Sequence, residues 1–301
     1  MARAMTVRAC AKINWTLHVG AKRDDGFHEV RTVLQSIALA DSLVITPRRG
    51  PLRVECSAPD VPASRDNLVW RAASAFWRAL RRVGEPRGLK IVIQKQIPVA
   101  AGLGGGSADA AAALIALNRA WDADWTRAKL IALAAELGSD VPFFLMGGTA
   151  LALGRGEELY PLEDIRRQSL VIIKPPVEVR TADAYHWLDL DRAEVSSDRR
   201  GSRHGEWVEV GWGSGPLVAG NDLQAPVIRR RPVVQEIIDA AMAAGAIMAA
   251  MTGSGSGVFA VFPAGAAGKA ATRLRHSDWQ VLVTRTLTRR ESCRSFLGGG
   301  V

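Results

Sequence analysis

The segment IPVAAGLGGGSAD, at residues 97–109, is the part of the sequence that says most about the fold. An alternating strand pattern over residues 89–97 precedes its glycines, and a strong helical pattern over residues 107–121 follows them. Glycines in such a loop permit positive φ and let successive N–H groups turn toward one point. The start of a helix adds unpaired N–H groups and partial positive charge. We therefore predict a phosphate-binding turn here, with a flexible turn before a helix as the alternative.

This loop matches neither of two common nucleotide-binding motifs. The Walker A pattern requires a Lys followed by Ser or Thr after its glycines, and no Lys follows these. The dinucleotide pattern GxGxxG, read from Gly102, fails because Ser107 stands at its last position. The sequence therefore excludes both motifs as the source of a phosphate site.

A second run of small residues, MTGSGSG at residues 251–257, lies between a helical pattern and an apolar strand pattern. Small residues permit close approach of the backbone to a ligand or to a neighbouring loop. The run is not the GxSxG turn that carries a nucleophilic serine, because Gly255 stands at the third position. We predict a tight turn there, packed either on a ligand or on another loop.

Two charged residues stand in apolar surroundings and are candidates for catalysis. Lys12 interrupts an apolar strand pattern, where a Lys either faces solvent or is held at a site. Asp140 precedes the apolar run Val-Pro-Phe-Phe, where a carboxylate either caps a helix or needs a partner. Phosphoryl transfer to an alcohol needs a base near the hydroxyl and positive charge near the phosphates. In this hypothesis Asp140 accepts the hydroxyl proton, while Lys12 keeps Asp140 ionised and stabilises the developing alkoxide.

The rest of the chain reads as a mixture of strands and helices. Periodicity predicts helices over residues 67–82, 126–137, 233–244 and 264–275, and strands over residues 7–19, 41–46, 52–56, 151–153, 170–173, 258–262 and 279–287. Residues 189–217 are polar and glycine-rich without a clear period, which predicts a loop or a partly ordered insertion. Charged residues crowd between Gly154 and Ser169, which suggests a division into domains of residues 1–160 and 161–301.

The composition argues against a membrane protein and against a zinc or disulfide scaffold. Of the 301 residues, 48% are hydrophobic, which suffices for a core. The apolar stretches are shorter than the ~18 residues that a membrane span needs, and no signal-peptide pattern is present. The three cysteines include no CxxC pair, which favours a reducing compartment. We expect a soluble, cytoplasmic protein without a membrane partner.

The net charge of +9 leaves two interpretations open. It would attract anionic partners such as phosphorylated substrates or nucleic acid, or it reflects a solvated, Arg-rich surface. The basic residues are scattered in short groups with few aromatics between them, which disfavours RNA binding. We therefore expect no nucleic-acid partner, and a local positive field at the phosphate site.

Taken together, these motifs resemble those of the GHMP kinase family, which includes galactokinase, homoserine kinase and mevalonate kinase. The family's middle motif is a Pro, a short spacer and Gly-Leu-Gly followed by small residues, as in residues 98–107. Its C-terminal glycine-rich motif is similar to residues 251–257.

One branch of the family matches more closely. That branch begins with Ala-Lys-Ile-Asn, as in residues 11–14, and continues with a segment like Asp-Gly-Tyr-His, as in residues 25–28. It also has Gly-x-Asp-Val-Pro-Phe-Phe, as in residues 138–144. Shorter similarities, at residues 67–69, 181–185 and 221–223, extend the resemblance in order through nearly the whole chain.

The resemblance implies a catalytic pair and two ligand pockets. By it, Lys12 and Asp140 match the catalytic pair, and Asn14 helps to fix the acceptor substrate. Phe27 and Tyr185 match two aromatics around a cytosine base, and His28 matches the residue that hydrogen-bonds the base. The residues that match ATP-binding positions are Asn67, Pro98, Ala101, Gly102, Leu103, Gly104, Gly105, Gly106 and Ser107.

The resemblance also implies a fold and a reaction. We expect an α+β fold in two lobes, the N-terminal lobe related to the second domain of ribosomal protein S5 and the C-terminal lobe ferredoxin-like, with the site between them. The branch implies transfer of the γ-phosphoryl group of ATP to a hydroxyl of a small-molecule substrate, a diphosphocytidyl alcohol. Mg²⁺ is expected to bridge the ATP phosphates, with Ser107 as a candidate contact and no dedicated protein ligands. A monomer and a homodimer both remain compatible with the sequence.

The chain departs from the branch at two positions, and two rival functions remain. Phe27 replaces the usual Tyr, which keeps stacking but removes a hydroxyl, and Arg180 replaces a small polar residue. Another GHMP kinase, acting on homoserine or mevalonate, would not require the pair of Phe27 and His28. An RNA-binding protein, suggested by the net charge and the S5-like lobe, is the more distant rival.

Overall fold

The computed structural model describes residues 4–198, 219–275 and 278–296. Its strands are β1 (Met5–Lys22), β2 (His28–Pro51), β3 (Arg53–Cys56), β4 (Arg87–Gln94), β5 (Thr149–Leu153), β6 (Glu158–Pro161), β7 (Ser169–Lys174), β8 (Gly220–Asn221), β9 (Met248–Met251), β10 (Val258–Phe262) and β11 (Gln280–Arg285). Its helices are α1 (Leu68–Ala79), α2 (Gly105–Ala120), α3 (Arg127–Ala135), α4 (Val141–Met146), α5 (Thr181–Asp198), α6 (Gln224–Arg230), α7 (Val233–Ala243), α8 (Ala267–Arg273) and α9 (Arg289–Ser295).

The first sheet is organised around the long hairpin of β1 and β2. A tight turn closes this hairpin, in which the Arg23 N–H donates to the Phe27 carbonyl at 2.7 Å and Gly26 has a φ of +86°. The sheet runs in the order β3-β4-β2-β1-β8, and β5 pairs with both β2 and β6. The register of β1 against β2 shifts between Cys10 and Lys12 and again between Asn14 and Thr16. Such irregularities re-aim side chains, and here they flank the two predicted site residues of β1.

Helix α2 lies at the centre of the N-terminal core. It packs against α1, α3, α4 and the strands β1 and β2. Four consecutive alanines, residues 110–113, are fully buried, so the helix has no solvent face along this stretch. Small side chains let neighbouring elements approach closely from every direction. The predicted alanine-rich helix is therefore a central buried element, and its first turn is held rigidly beside the glycine loop.

The second sheet has the strand order β11-β7-β10-β9, with every neighbouring pair antiparallel. Along the chain, the segment that contains α5 to α7 connects β7 to β9, and α8 connects β10 to β11. This is the β-α-β-β-α-β arrangement of ferredoxin-like folds. The expected two-lobed α+β fold is thus confirmed. None of the helices in the described ranges is long and apolar enough to cross a membrane.

The chain passes between the two lobes more than once, and the lobes share both a strand pairing and an apolar core. Strand β8 pairs in parallel with β1, through Thr16 to Gly220 and Leu17 to Asn221. One buried apolar cluster joins side chains of both sheets, namely Ala11, Ile13, Trp15, Val33, Ile37, Ile97, Ala101, Leu103, Leu170, Ile172, Ala250, Phe259 and Val261. Helix α9 returns to the first lobe and packs near α4. The division into domains of residues 1–160 and 161–301 stays a prediction.

The prediction of a loop over residues 189–217 is wrong for its first part. Residues 189–198 continue α5, and residues 199–217 lie outside the described residues. The first part of this helix is held by buried Ala184 and Leu188 and by ion pairs to other elements. Asp191, for example, pairs with Arg229 and Arg230 of α6. Sequence periodicity does not report such tertiary contacts, and it also missed the short helices α4, α6 and α9.

Candidate active site

A single cleft of about 1060 Å³ gathers the predicted site residues from both lobes. Its walls come from the middle and end of β1, the turn after it, the glycine loop, the residues just before α4 and the first half of α5. All of the residues predicted from the sequence line it: Lys12, Asn14, Phe27, His28, Asn67, Pro98, Ala101, Gly102, Leu103, Gly104, Gly105, Gly106, Ser107, Asp140 and Tyr185.

Lys12 is anchored by a buried polar network on β1. Its ammonium donates to Asn14 Oδ1 at 2.6 Å, because residues two apart on a strand share a face. The Asn14 amide in turn donates to Thr32 Oγ1 at 2.7 Å. The hydroxyl of Thr252, in the second small-residue run, accepts from the Asn14 backbone N–H at 3.1 Å. A side chain from the other lobe therefore helps to fix the orientation of Asn14 and, through it, of Lys12.

The structure brings Lys12 and Asp140 together. Lys12 Nζ lies 3.8 Å from Asp140 Oδ2, and Lys12 as a residue is only 5% exposed. The alternative in which Lys12 faces solvent is therefore wrong. Asp140 occupies the residue before α4, but its carboxylate makes no capping hydrogen bond. Its side chain is 40% exposed toward the cleft, so helix capping does not account for this carboxylate.

The two glycine-rich segments pack against each other at their backbones. Gly102 has a φ of +71°, and a Cβ placed there would lie 2.0 Å from the Thr252 carbonyl oxygen. The Asn221 amide holds the second run by donating to the Met251 and Gly253 carbonyls at 2.9 and 2.8 Å. The run packs on the first loop, as one of the two interpretations predicted, and residues 253–255 also line the cleft.

The glycine loop leads directly into α2 beside Lys12. Gly104 precedes the helix with a φ of +70°, and a Cβ there would lie 3.3 Å from Lys12 Cε. The Lys12 N–H donates to the Leu103 carbonyl at 3.1 Å, which ties β1 to the loop. The first N–H groups of a helix have no partner within it. Residues 105–107 therefore present backbone donors at the cleft wall, next to a lysine, which suits an anionic ligand.

Asn67 lines the cleft, but its side chain already has structural partners. Its Oδ1 caps α1 by accepting from the Val69 N–H at 2.8 Å, and its Nδ2 donates to the Pro62 carbonyl at 2.7 Å. Asn67 is also buried. Its amide therefore shapes the local backbone around residues 62–69, which forms one border of the cleft.

A buried ionic cluster lies behind the glycine loop, and sequence reasoning missed it. Lys95 Nζ donates to Asp41 at 2.5 Å and to Asp109 at 2.8 Å. Burial raises the pKa of the Asp109 carboxyl to about 7, opposed by the charge of Lys95 and assisted by that of Asp41. One Asp109 oxygen, Oδ1, is buried and has no hydrogen-bond partner among the residues that the structure describes. Asp41 belongs to β2, Lys95 directly follows β4 and Asp109 belongs to α2, and no sequence spacing signals their meeting.

The far end of the cleft holds His28, Tyr185 and a partner that the sequence did not indicate. The rings of His28 and Tyr185 lie 5.2 Å apart at 34°. His28 Nε2 lies 2.8 Å from Asp189 Oδ1, on the next turn of α5 after Tyr185. Burial, assisted by the charge of Asp140, raises the pKa of Tyr185 to about 12, so the phenol stays protonated. Asp189 could not be found from sequence because it fell in the segment predicted to be a loop.

Phe27 stands apart from the other two aromatic-pocket residues. It is 55% exposed, and the Arg155 guanidinium lies over its ring at 5.2 Å. Arg155 in turn donates to Glu157 through its backbone N–H and its Nε. The structure therefore pairs Tyr185 with His28, and it places Phe27 at the rim with a cation on one face.

Comparison with known proteins identifies the family. The family model "GHMP kinases N terminal domain" matches residues 67–148, and "GHMP kinases C terminal" matches residues 198–278. The chain belongs to the GHMP kinase family, as the sequence motifs led us to expect. It is 44% identical over 293 residues to the 4-diphosphocytidyl-2-C-methyl-D-erythritol kinase of Pelotomaculum thermopropionicum, covering 95% of this chain and 99% of that one.

Other relatives agree. The enzyme of the same name from Geobacter sulfurreducens is 39% identical over 289 residues, covering 95% of this chain and 100% of the relative. A crystal structure of 4-(cytidine 5'-diphospho)-2C-methyl-D-erythritol kinase superposes with a TM-score of 0.76 at 34% identity, covering 98% of this chain and 100% of that one. A homoserine kinase from Cytophaga hutchinsonii, at 20% identity and a TM-score of 0.67, shares the fold.

Proposed function

We propose that this chain transfers the γ-phosphoryl group of ATP to the 2-hydroxyl of 4-diphosphocytidyl-2-C-methyl-D-erythritol, in the non-mevalonate pathway to isoprenoid precursors. The observation that carries the proposal is the pair of Lys12 and Asp140 beside the glycine loop, in one cleft with a buried His28 and Tyr185 pocket. The names of relatives at 44% and 39% identity support the same substrate.

In the proposed mechanism, Asp140 takes the proton from the acceptor hydroxyl. Its carboxylate is open to the cleft, whereas Lys12 is buried and held by Asn14. The ammonium of Lys12, 3.8 Å from Asp140, stabilises the developing alkoxide during the reaction. General-base assistance of this kind contributes about 10²–10⁴ in rate. The alkoxide oxygen then attacks the γ-phosphorus in line with the leaving oxygen.

The glycine loop is proposed to bind the ATP phosphates. Backbone N–H groups of residues 105–107 face the cleft, and Lys12 adds a cation at the same corner. The other residues assigned here to ATP are Asn67, Pro98, Ala101, Gly102, Leu103 and Gly104, all of which line the cleft. Because the loop is clamped by the second small-residue run, it is preorganised and loses little freedom when nucleotide binds.

Mg²⁺ is proposed to accompany ATP and to neutralise phosphate charge when bound. The described residues contain no group of three or more side chains that would hold a metal by themselves. Mg²⁺ typically keeps several waters and binds one or two protein oxygens together with substrate phosphates. The hydroxyl of Ser107 lines the cleft, and the unpartnered Asp109 Oδ1 lies in the same helix turn. These two residues are the candidates to hold the ion.

The far pocket is proposed to bind the cytidyl group. His28 would hydrogen-bond the base, and Tyr185 and Phe27 would contact its faces, with Asn14 orienting the alcohol near Asp140. We place the reaction in the cytoplasm, where ATP is available, and leave a monomer and a homodimer as alternatives.

A substrate panel tests the proposal. ATP consumption is measured with the diphosphocytidyl alcohol, homoserine and mevalonate as separate acceptors, and the Asp140→Asn variant serves as the background control. We expect turnover with the cytidyl alcohol alone, and ³¹P NMR should place the new phosphate on the 2-hydroxyl. Turnover with homoserine or mevalonate, or equal ATP consumption by the variant, contradicts the proposal.

A further inference from the structure

In the hydrogen bond between His28 and Asp189, the imidazole is the donor and the carboxylate is the acceptor. An ionised carboxylate only accepts hydrogen bonds, so the ring nitrogen that faces Asp189 Oδ1 at 2.8 Å, Nε2, must carry the proton. In the neutral imidazole the other nitrogen, Nδ1, is then a bare acceptor. Asp189 therefore decides which kind of hydrogen bond His28 can offer to a ligand.

The free nitrogen of His28 belongs to a buried ring at the cleft. His28 is only 7% exposed, and the residue lines the cleft. No side chain or backbone group in the part of the chain that the structure describes bonds to Nδ1. Tyr185 packs on the ring and restricts its rotation. Because His28 lines the cleft, a ligand there can supply a donor to Nδ1.

At position 4 of the ring cytosine supplies such a donor, whereas uracil presents an acceptor there and carries its N–H at N3 instead. The two bases have the same shape, but cytosine carries an amino group at C4 where uracil carries a carbonyl oxygen. A bare acceptor at His28 Nδ1 bonds the amino group and repels the carbonyl. A site built to hydrogen-bond a ligand N–H rejects the analogue that lacks it far more strongly than an apolar pocket can.

We propose that Asp189 is a positioning residue that holds His28 in the Nε2–H tautomer, and that this tautomer selects cytosine over uracil in the acceptor substrate. The inference rests on the proposed function, which provides the cytidyl ligand. It assigns to Asp189 a part in specificity, exerted through His28 and without contact with the reacting atoms.

The variant Asp189→Asn tests the proposal because an amide can either accept from Nε2–H or donate to bare Nε2. Both tautomers of His28 then become accessible. We expect kcat/KM for the diphosphocytidyl alcohol to fall by about 10- to 100-fold, the usual cost of one mispaired buried hydrogen bond. The loss should appear in KM, with kcat little changed, because the contact is made equally before and during the reaction. The ratio of kcat/KM for the cytidyl alcohol to that for its uridyl analogue should fall as well.

The matched control is Asp191→Asn on the same helix. Asp191 pairs with Arg229 and Arg230 outside the cleft, so its loss weakens α5 without touching His28. We expect the cytidyl-to-uridyl ratio of this variant to equal that of the wild type. An equal fall in the ratio for both variants would mean that a general loosening of α5 explains the effect, and would overturn the proposal.

A spectroscopic readout separates this inference from the proposed function. ¹⁵N NMR of the imidazole distinguishes a protonated from a bare ring nitrogen, and it needs no substrate. We expect His28 in the wild type to show protonated Nε2 and bare Nδ1, and Asp189→Asn to show a mixture. A wild-type signal with the proton on Nδ1 overturns the role of Asp189. Wild-type enzyme that does not phosphorylate the cytidyl alcohol overturns the proposed function, whatever the tautomer.

Discussion

Lys12 illustrates how one residue can be both buried and charged. Burying an ammonium without partners is expensive, and a lysine in an apolar strand would normally be avoided. Here Asn14 accepts from the ammonium at 2.6 Å and Asp140 lies 3.8 Å away. The sequence revealed this residue because a lone lysine broke an apolar pattern. It did not reveal the supporting groups Thr32 and Thr252, since threonines are common in strands and carry no signal of their own.

Replacing Asp140 with asparagine should separate catalysis from binding. The amide has nearly the same size as the carboxylate but cannot accept the hydroxyl proton. We expect kcat to fall by about 10²- to 10⁴-fold, because general-base assistance is lost. The dissociation constant for ATP should stay within about twofold, measured by calorimetry. Turnover close to that of the wild type would eliminate Asp140 as the base.

The Asp109 carboxyl should make stability depend on pH. Its pKa is about 7 in the folded protein and near 3.8 in the unfolded chain. Between these values the folded state binds more protons than the unfolded state, so stability from this group falls as pH rises. The Asp109→Asn variant lacks this carboxyl, so its stability does not fall with rising pH on account of residue 109. Urea unfolding should therefore show the wild type losing stability relative to the variant from about pH 4 to about pH 7, with little further change above. A constant difference across that range would contradict the raised pKa.

At the scale of elements, the two glycine-rich runs function as one structural unit. The sequence predicted a tight turn at each run, and it indicated residues of the first run as site candidates. Their contact, with a Gly102 Cβ position 2.0 Å from the Thr252 carbonyl, could not be predicted because it joins segments 150 residues apart. Helix α5 was missed for a related reason, since its partners lie on other elements.

Gly102→Ala should disrupt this unit, whereas Gly106→Ala should not. A Cβ on Gly102 meets backbone atoms of Thr252 and forces an alanine into a φ of +71°. The left-handed conformation alone costs about 1–2 kcal/mol, and the backbone clash adds to it. A Cβ on Gly106 meets only Leu68 Cδ1, at 3.6 Å. Thermal unfolding should show a clear drop in Tm for the first variant and a Tm near that of the wild type for the second. Equal Tm values would show that the clamp is dispensable.

At the scale of the whole molecule, the sequence predicted the architecture but not how its halves are joined. The ordered motifs were enough to infer a two-lobed fold with a cleft. Strand β8, only two residues long, and helix α9 carry too few residues to produce a recognisable period. Yet β8 completes the edge of the first sheet, and α9 packs near α4. Short elements that join distant segments are where sequence patterns fail.

A fragment of residues 1–160 should therefore fail to fold alone. It would lose the β8 pairing and expose apolar side chains such as Trp15 and Ile37 that the second sheet covers. Expressed by itself, it should be insoluble or should bind a hydrophobic dye strongly, in contrast to the full chain. A soluble fragment with a cooperative unfolding transition would establish residues 1–160 as an independent domain.

The position of α9 also bears on how α4 is held. Ser292 of α9 accepts from the Gly148 N–H at 3.1 Å, in the turn that follows α4 and so at the opposite end of that short helix from Asp140. The contact joins residues 144 apart in the chain, so α9 braces the turn behind the helix that Asp140 precedes. Removing the Ser292 hydroxyl would leave the buried Gly148 N–H without this partner.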